Sequence, residues 1–168
     1  MCDDGKKADD CMTPGDVKVA DEDAAAEALK ASGVKDAVVY ASDAVRVNFY
    51  GCSRIGDSND AVCVFDLAGS GYDWLLQFPC RVQNSVALNS TANDDMGREY
   101  RATAATIAGD SSCDRTLVES IETEARVRFD DIHSGATAFS LLSVAIDAYS
   151  TQENPAPEML MFRDVSLD

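Results

Sequence analysis

From residue 121 to 130 the chain alternates in character. Ile121, Thr123, Ala125, Val127 and Phe129 fall on one side, and Glu122, Glu124, Arg126, Arg128 and Asp130 on the other. A period of two marks a strand with one buried and one wet face. Residues 139–146, Phe-Ser-Leu-Leu-Ser-Val-Ala-Ile, are apolar on both faces and fit an interior strand. Between them lies a turn over 130–136, in which Gly135 is free to take positive φ. The spacing predicts that 121–129 and 137–149 form one hairpin.

The same reading runs along the chain. Residues 21–32 predict a helix. Asp21, Glu22 and Asp23 suit the positive end of the macrodipole, the alanine-rich centre has high propensity, and Gly33 follows as a C′ residue. Its thin apolar face reads as Ala25, Ala28, Leu29 and Ser32. Strands follow over 37–40, over 44–50 (Val45, Val47 and Phe49 inward, Gly51 ending it) and over 61–67. A turn at 69–71 leads to a strand over 72–82, in which Pro79 lacks an N–H and marks an edge or a bulge. Residues 89–97 read as an exposed loop, 98–108 as one strand and 159–167 as a closing strand. Residues 116–120 match both helical and strand spacing. Val45-Arg-Val-Asn-Phe49 and Ala125-Arg-Val-Arg-Phe129 are alike, as two alternating strands are.

About eight short strands against one helix, with turn signals between them, predict a mostly β chain. The architecture expected is a two-layer antiparallel β-sandwich, jelly-roll- or Ig-like, with one N-terminal helix; an α+β open sheet is the alternative. Residues 1–16 are polar and broken by Pro14-Gly15, and read as a flexible or tethering tail. Residues 17–168 read as a single β-rich domain, long enough to bury its own core.

Charge narrows the partners. Fourteen basic against thirty acidic side chains give a net charge of −16, with Asp outnumbering Glu 22 to 8. Such a field repels phosphate backbones, so no nucleic acid is expected. No apolar run approaches the roughly 20 residues that span a bilayer as a helix, so no membrane span is expected.

Six cysteines, Cys2, Cys11, Cys52, Cys63, Cys80 and Cys113, are even in number and lack zinc-ligand spacing. Disulfides in an oxidising compartment are the expectation. Cys52 and Cys63 lie at the two mouths of the turn-rich stretch 53–60 and are predicted to pair. Cys113 is a candidate partner for Cys80, and Cys2 and Cys11 for each other. Cys2 also sits where a bacterial lipoprotein carries its lipid.

Candidate chemistry is sparse. His133 sits in a turn beside Asp130, Asp131 and Ser134, and neighbours in sequence do not make a triad; no catalytic residue is assigned. Two loop clusters of hard oxygen ligands, Asp57, Asn59 and Asp60 and Asn93, Asp94 and Asp95, are candidates for Ca2+, though neither has EF-hand spacing. Asn89-Ser90-Thr91 fits a glycosylation acceptor. The terminal sequence Phe162-Arg-Asp-Val-Ser-Leu167 resembles the last strand of jelly-roll carbohydrate-binding modules, departing at Arg163. That resemblance implies a glycan as a candidate partner, and the candidate aromatic platforms are Trp74, Tyr72 and Tyr50. The reading is a non-enzymatic acidic module with a structural or binding role, exported or on a cell surface and lipoprotein-like in its N-terminus. Its partner would be another protein. The alternatives are a subunit of a larger assembly such as a virion, with assembly neighbours as partners, and a sugar-binding jelly roll.

Overall fold

The structure, a computed structural model, describes residues 14–40, 45–71, 73–77, 90–110, 114–149 and 158–167. One helix, α1 (Pro14–Ser32), precedes eleven strands: β1 (Asp36–Tyr40), β2 (Val45–Arg54), β3 (Ala61–Gly69), β4 (Trp74–Gln77), β5 (Thr91–Asp94), β6 (Glu99–Arg101), β7 (Ala104–Ile107), β8 (Asp114–Leu117), β9 (Thr123–Phe129), β10 (Ala138–Tyr149) and β11 (Glu158–Ser166). They form two antiparallel sheets. The first runs β1-β2-β3-β9-β7. In the second, β6-β5-β10-β4-β8 lie in order and β11 pairs with β10 along Ala138–Ile146. The inward side chains of both sheets merge into one core. The chain is the mostly β, two-layer sandwich with one helix that its alternation predicts.

The predicted hairpin is absent. β9 pairs with β3 and β7, whereas β10 pairs with β11, β5 and β4. The two strands belong to opposite sheets, and the connection between them is an arch. Phe129 and Phe139 meet edge-on across the core with ring centroids 5.4 Å apart. Both arms carry large apolar side chains that bury more surface facing each other than lying edge to edge. The arch is strapped to the first sheet. Ile132 is buried and its N–H donates to Asn59 O (2.7 Å), while Arg54 Nη2 donates to His133 O (2.9 Å) and Ala136 O (2.8 Å). Asp131, not Gly135, takes the left-handed conformation there, at φ 57°. Gly135 is small for another reason: a Cβ would lie 3.2 Å from the His133 ring.

Three other stretches depart from expectation. Residues 98–108 are two strands, not one. β6 joins the second sheet and β7 the first, so the chain changes sheets at Ala102 and Thr103. Residues 89–97 are not a loop throughout. Thr91–Asp94 is strand β5, with Ala92 and Asp94 buried. Short polar residues there satisfied turn statistics, and pairing with β10 overrode them. Ile121 stands outside β9 and is exposed. The pair of similar motifs finds a simple place, since β2 and β9 flank β3 in the same sheet.

Helix α1 begins at Pro14, earlier than the acidic cluster at 21–23 suggests, in keeping with proline's fitness for a first helical position. It ends as predicted, with Gly33 at φ 88° donating its N–H to Lys30 O. It covers the outer face of the first sheet. Ala26 and Leu29 pack with Ile55, Val62 and Val64, which buries β3 on both faces. Ala28 and Ser32 are exposed, contrary to the predicted face. Charge sets that rotation. Glu22, Ala26 and Lys30 recur every four residues on one stripe. Glu22 faces Arg126 and Arg128, and Lys30 donates to Asp66 (3.2 Å) and Glu124 (3.1 Å).

The Cys52–Cys63 disulfide is present, with a Cα–Cα distance of 4.0 Å and a sequence separation of 11. The two residues face each other directly in the β2–β3 ladder, which runs two pairs beyond them and confines the connection to residues 55–60. Cys2, Cys11, Cys80 and Cys113 lie outside the described residues. Replacing both partners, Cys52→Ala with Cys63→Ala, is expected to lower unfolding free energy by about 3 kcal/mol in a urea titration, through the freed unfolded chain.

Candidate functional site

The open side of the sandwich carries the candidate site. A bulge on β2, between Phe49 and Gly51, inserts Tyr50 as an extra residue opposite β3. Gly51 sits at φ 113°, a conformation closed to side-chain-bearing residues, and a Cβ there would lie 3.4 Å from Leu29 Cδ2. Beyond the bulge β2 leaves β1, whose ladder ends at Asp36 opposite Phe49. The last strand fills that place only partly: Leu167 bridges Cys52, and the Phe162 ring meets Phe49 at a tilt with centroids 4.3 Å apart.

What remains is a cleft of about 310 Å³ between the start of β1, the β2 bulge and β11. Its floor is apolar: Leu29, Phe49, Cys52, Phe162 and Val165. Its two lips are charged, Lys35 and Asp36 on one and Arg163 and Asp164 on the other. All four are exposed, and none forms an ion pair among the described residues. Asp164 adopts a left-handed conformation (φ 52°), which takes it out of the β10–β11 ladder between the Phe139–Val165 and Leu141–Arg163 pairs. Such a conformation costs roughly 1–2 kcal/mol outside glycine, less for Asp, and recurs where backbone shape serves a site.

The residues proposed from sequence as ligands are mostly occupied elsewhere. Trp74 is 1% exposed, lies in the core and donates its Nε1–H to Ser70 O (3.3 Å), so it is no sugar platform. A large apolar ring beside a turn buries more favourably than it stands in water. Tyr50 is half-buried, donates its hydroxyl proton to Asp66 (2.8 Å), and lies under the Lys30 ammonium at 5.6 Å; its ring belongs to the helix interface as much as to the cleft. Burial and the Asp66 carboxylate push its hydroxyl above the ordinary tyrosine range. Tyr72 and Asn89 lie outside the described residues.

The two carboxylate clusters act as clasps. Asp94 is 1% exposed, and its carboxylate accepts from the N–H of Arg98 (2.8 Å), the hydroxyl of Tyr100 (2.7 Å) and the N–H of Met96 (2.9 Å). Burial alone would raise its pKa; those bonds hold it below the usual carboxylate range. Asp95 accepts from the hydroxyl and N–H of Thr137, and Asn93 O accepts from Ser140 Oγ. Asp60 accepts from Arg128 Nη2 (2.7 Å) and from Asp131 N (3.2 Å). Asp57 is exposed, and Asn59 contributes its carbonyl to the arch. No group of three or more His, Cys, Asp or Glu residues is gathered as a metal site among the described residues. His133 is half-buried and its Nδ1 accepts the Gly135 N–H (3.1 Å).

The sequence reading missed the cleft itself. Its one local signal was Gly51, a glycine closing a clean alternation, which marks a bulge as readily as a strand end. Arg163 was visible only as a departure from the carbohydrate-module strand.

No protein-family model matches the chain, and no curated protein matches it. Among solved structures, the GAE domain of yeast GGA1 is similar over 77% of this chain and 96% of its own, at 13% identity and a TM-score of 0.36. A likeness at that level carries no argument about site or partner. No helix among the described residues is long and apolar enough to cross a membrane.

The Asp94 clasp makes a pH prediction. A carboxylate whose folded pKa is depressed contributes stability that is present above its unfolded pKa, about 4, and lost as pH falls through the folded value. Asp94→Asn is expected to lower stability by about 2 kcal/mol at pH 7. Thermal melts should show the gap between the two proteins narrowing as pH falls below about 4.

Proposed function

We propose that this protein is a non-enzymatic binding module whose recognition surface is the open side of the sandwich, and that it works in an oxidising, extracytoplasmic setting. One observation carries the first part. The apolar cleft is rimmed by four exposed charges that form no ion pair among the described residues, whereas Lys30, Arg126 and Arg128, where the helix covers the first sheet, are all ion-paired. An apolar centre within a polar rim is the anatomy of a protein-binding patch. The occupied His133 Nδ1 and the committed carboxylates favour binding over catalysis. The buried Cys52–Cys63 bridge supports the compartment, because disulfides persist where thiols are not kept reduced. Burial of Trp74 and the polar commitments of Tyr50 favour a protein partner over a glycan.

A photo-crosslinking side chain at exposed Lys35 in the producing cells should yield one discrete protein adduct, and the same group at exposed Val19 on α1 should not. No adduct at position 35, or equal adducts at both, contradicts the site. Thiol alkylation in those cells should find Cys52 and Cys63 blocked; a free thiol at either contradicts the compartment.

A further inference from the structure

Resting on that reading, we infer that the occupant of the cleft is an extended segment of a basic protein partner, added as a strand to the free edge of β11. Among the described residues β11 is laddered to β10 on one side only. On its other side the described residues supply a single bridge, Leu167 to Cys52, just past its end. In an antiparallel strand alternate residues turn their N–H and C=O groups away from the paired neighbour, so between Met159 and Arg163 β11 presents donors and acceptors that no described strand pairs.

Exposed sheet edges are usually blunted by lysine, proline or a covering element. The exposed face of this one carries Met159 (40% exposed) and Met161 (62% exposed) ahead of Arg163. The left-handed Asp164 then interrupts the ladder, which resumes at Val165, so the unbroken stretch of the edge is the one carrying the methionines.

The cleft adjoins the Phe162 end of that edge, with Phe162 and Val165 of β11 forming part of its floor. A strand laid against β11 would send alternate side chains toward this apolar floor and set the others beside Met159 and Met161. Backbone bonds would supply affinity, and the cleft would select one apolar side chain. Charge decides the source. At −16 per chain, a second copy is repelled and a basic segment is drawn in.

Random nine-residue peptides displayed on phage, panned against the intact chain, test this. The enriched peptides are then synthesised and amide exchange of the chain is read with and without them. Enriched sequences should alternate apolar and polar positions and carry net positive charge. At tenfold excess over Kd they should slow exchange of edge amides between Met159 and Arg163 by about tenfold. Met161→Lys, at an exposed position, should retain the fold and weaken binding up to about fivefold. No enrichment, or enrichment without protection of β11, overturns the inference. Protection of the β1 or β7 edge instead overturns β11 as the site while leaving a binding module. A Lys35 adduct with no peptide protecting any edge overturns strand addition and likewise leaves the binding role standing.

Discussion

Across the middle of the molecule, β9 and β10 face one another instead of pairing. The edge contact of Phe129 with Phe139 marks the line where they meet. Because these two strands lie in different sheets, the chain must cross the core between them, and every other connection adjusts. β3 gains β9 as its second neighbour and becomes an interior strand of the first sheet, with the core on one face and α1 on the other. β10 is left to gather β5, β4 and β11. β11 then reaches the side of β2, where Phe162 meets Phe49 and Phe65. The cleft is what remains where that last approach stops short.

Apolar burial and charge divide the work of holding the helix. Ala26 and Leu29 provide the burial; a fully buried leucine is worth about 2 kcal/mol. Ion pairs contribute less each, near 0–1 kcal/mol where solvent reaches them, so they direct more than they hold. Glu22 opposite Arg126 and Arg128, and Lys30 opposite Asp66 and Glu124, fix which stripe of the helix turns inward. Burial works against the charge on Lys30, yet its bonds to Glu124 and Asp66 hold its pKa above the ordinary lysine value. Burial would raise Glu124, and Lys30 and Arg126 hold it below the carboxylate range. The face read as wet in β9 is therefore an ion-paired interface.

Much of this was legible in the chain, and the limits have physical causes. The alternations at Val45–Phe49 and Ala125–Phe129 report which side of a strand is buried, and they did so correctly. They cannot report which strand lies alongside, because period two is the same in a hairpin and in an arch. The Cys52–Cys63 bond was predictable because it depends on a local antiparallel return. Asp94 looked like a loop ligand because its partners, Tyr100 and the amides after it, are supplied by a turn that composition does not reveal. The cleft was illegible because Leu29, Gly51 and Val165 meet only through topology.

The facing of β9 and β10 is read most directly by nuclear Overhauser contacts in the intact chain. The account predicts close cross-strand backbone contacts between Val127 and Cys63, ring contacts between Phe129 and Phe139, and no backbone ladder joining β9 to β10. A ladder of α-proton contacts running between those two strands would contradict it, since the pair would then be a hairpin and the cleft would have no wall.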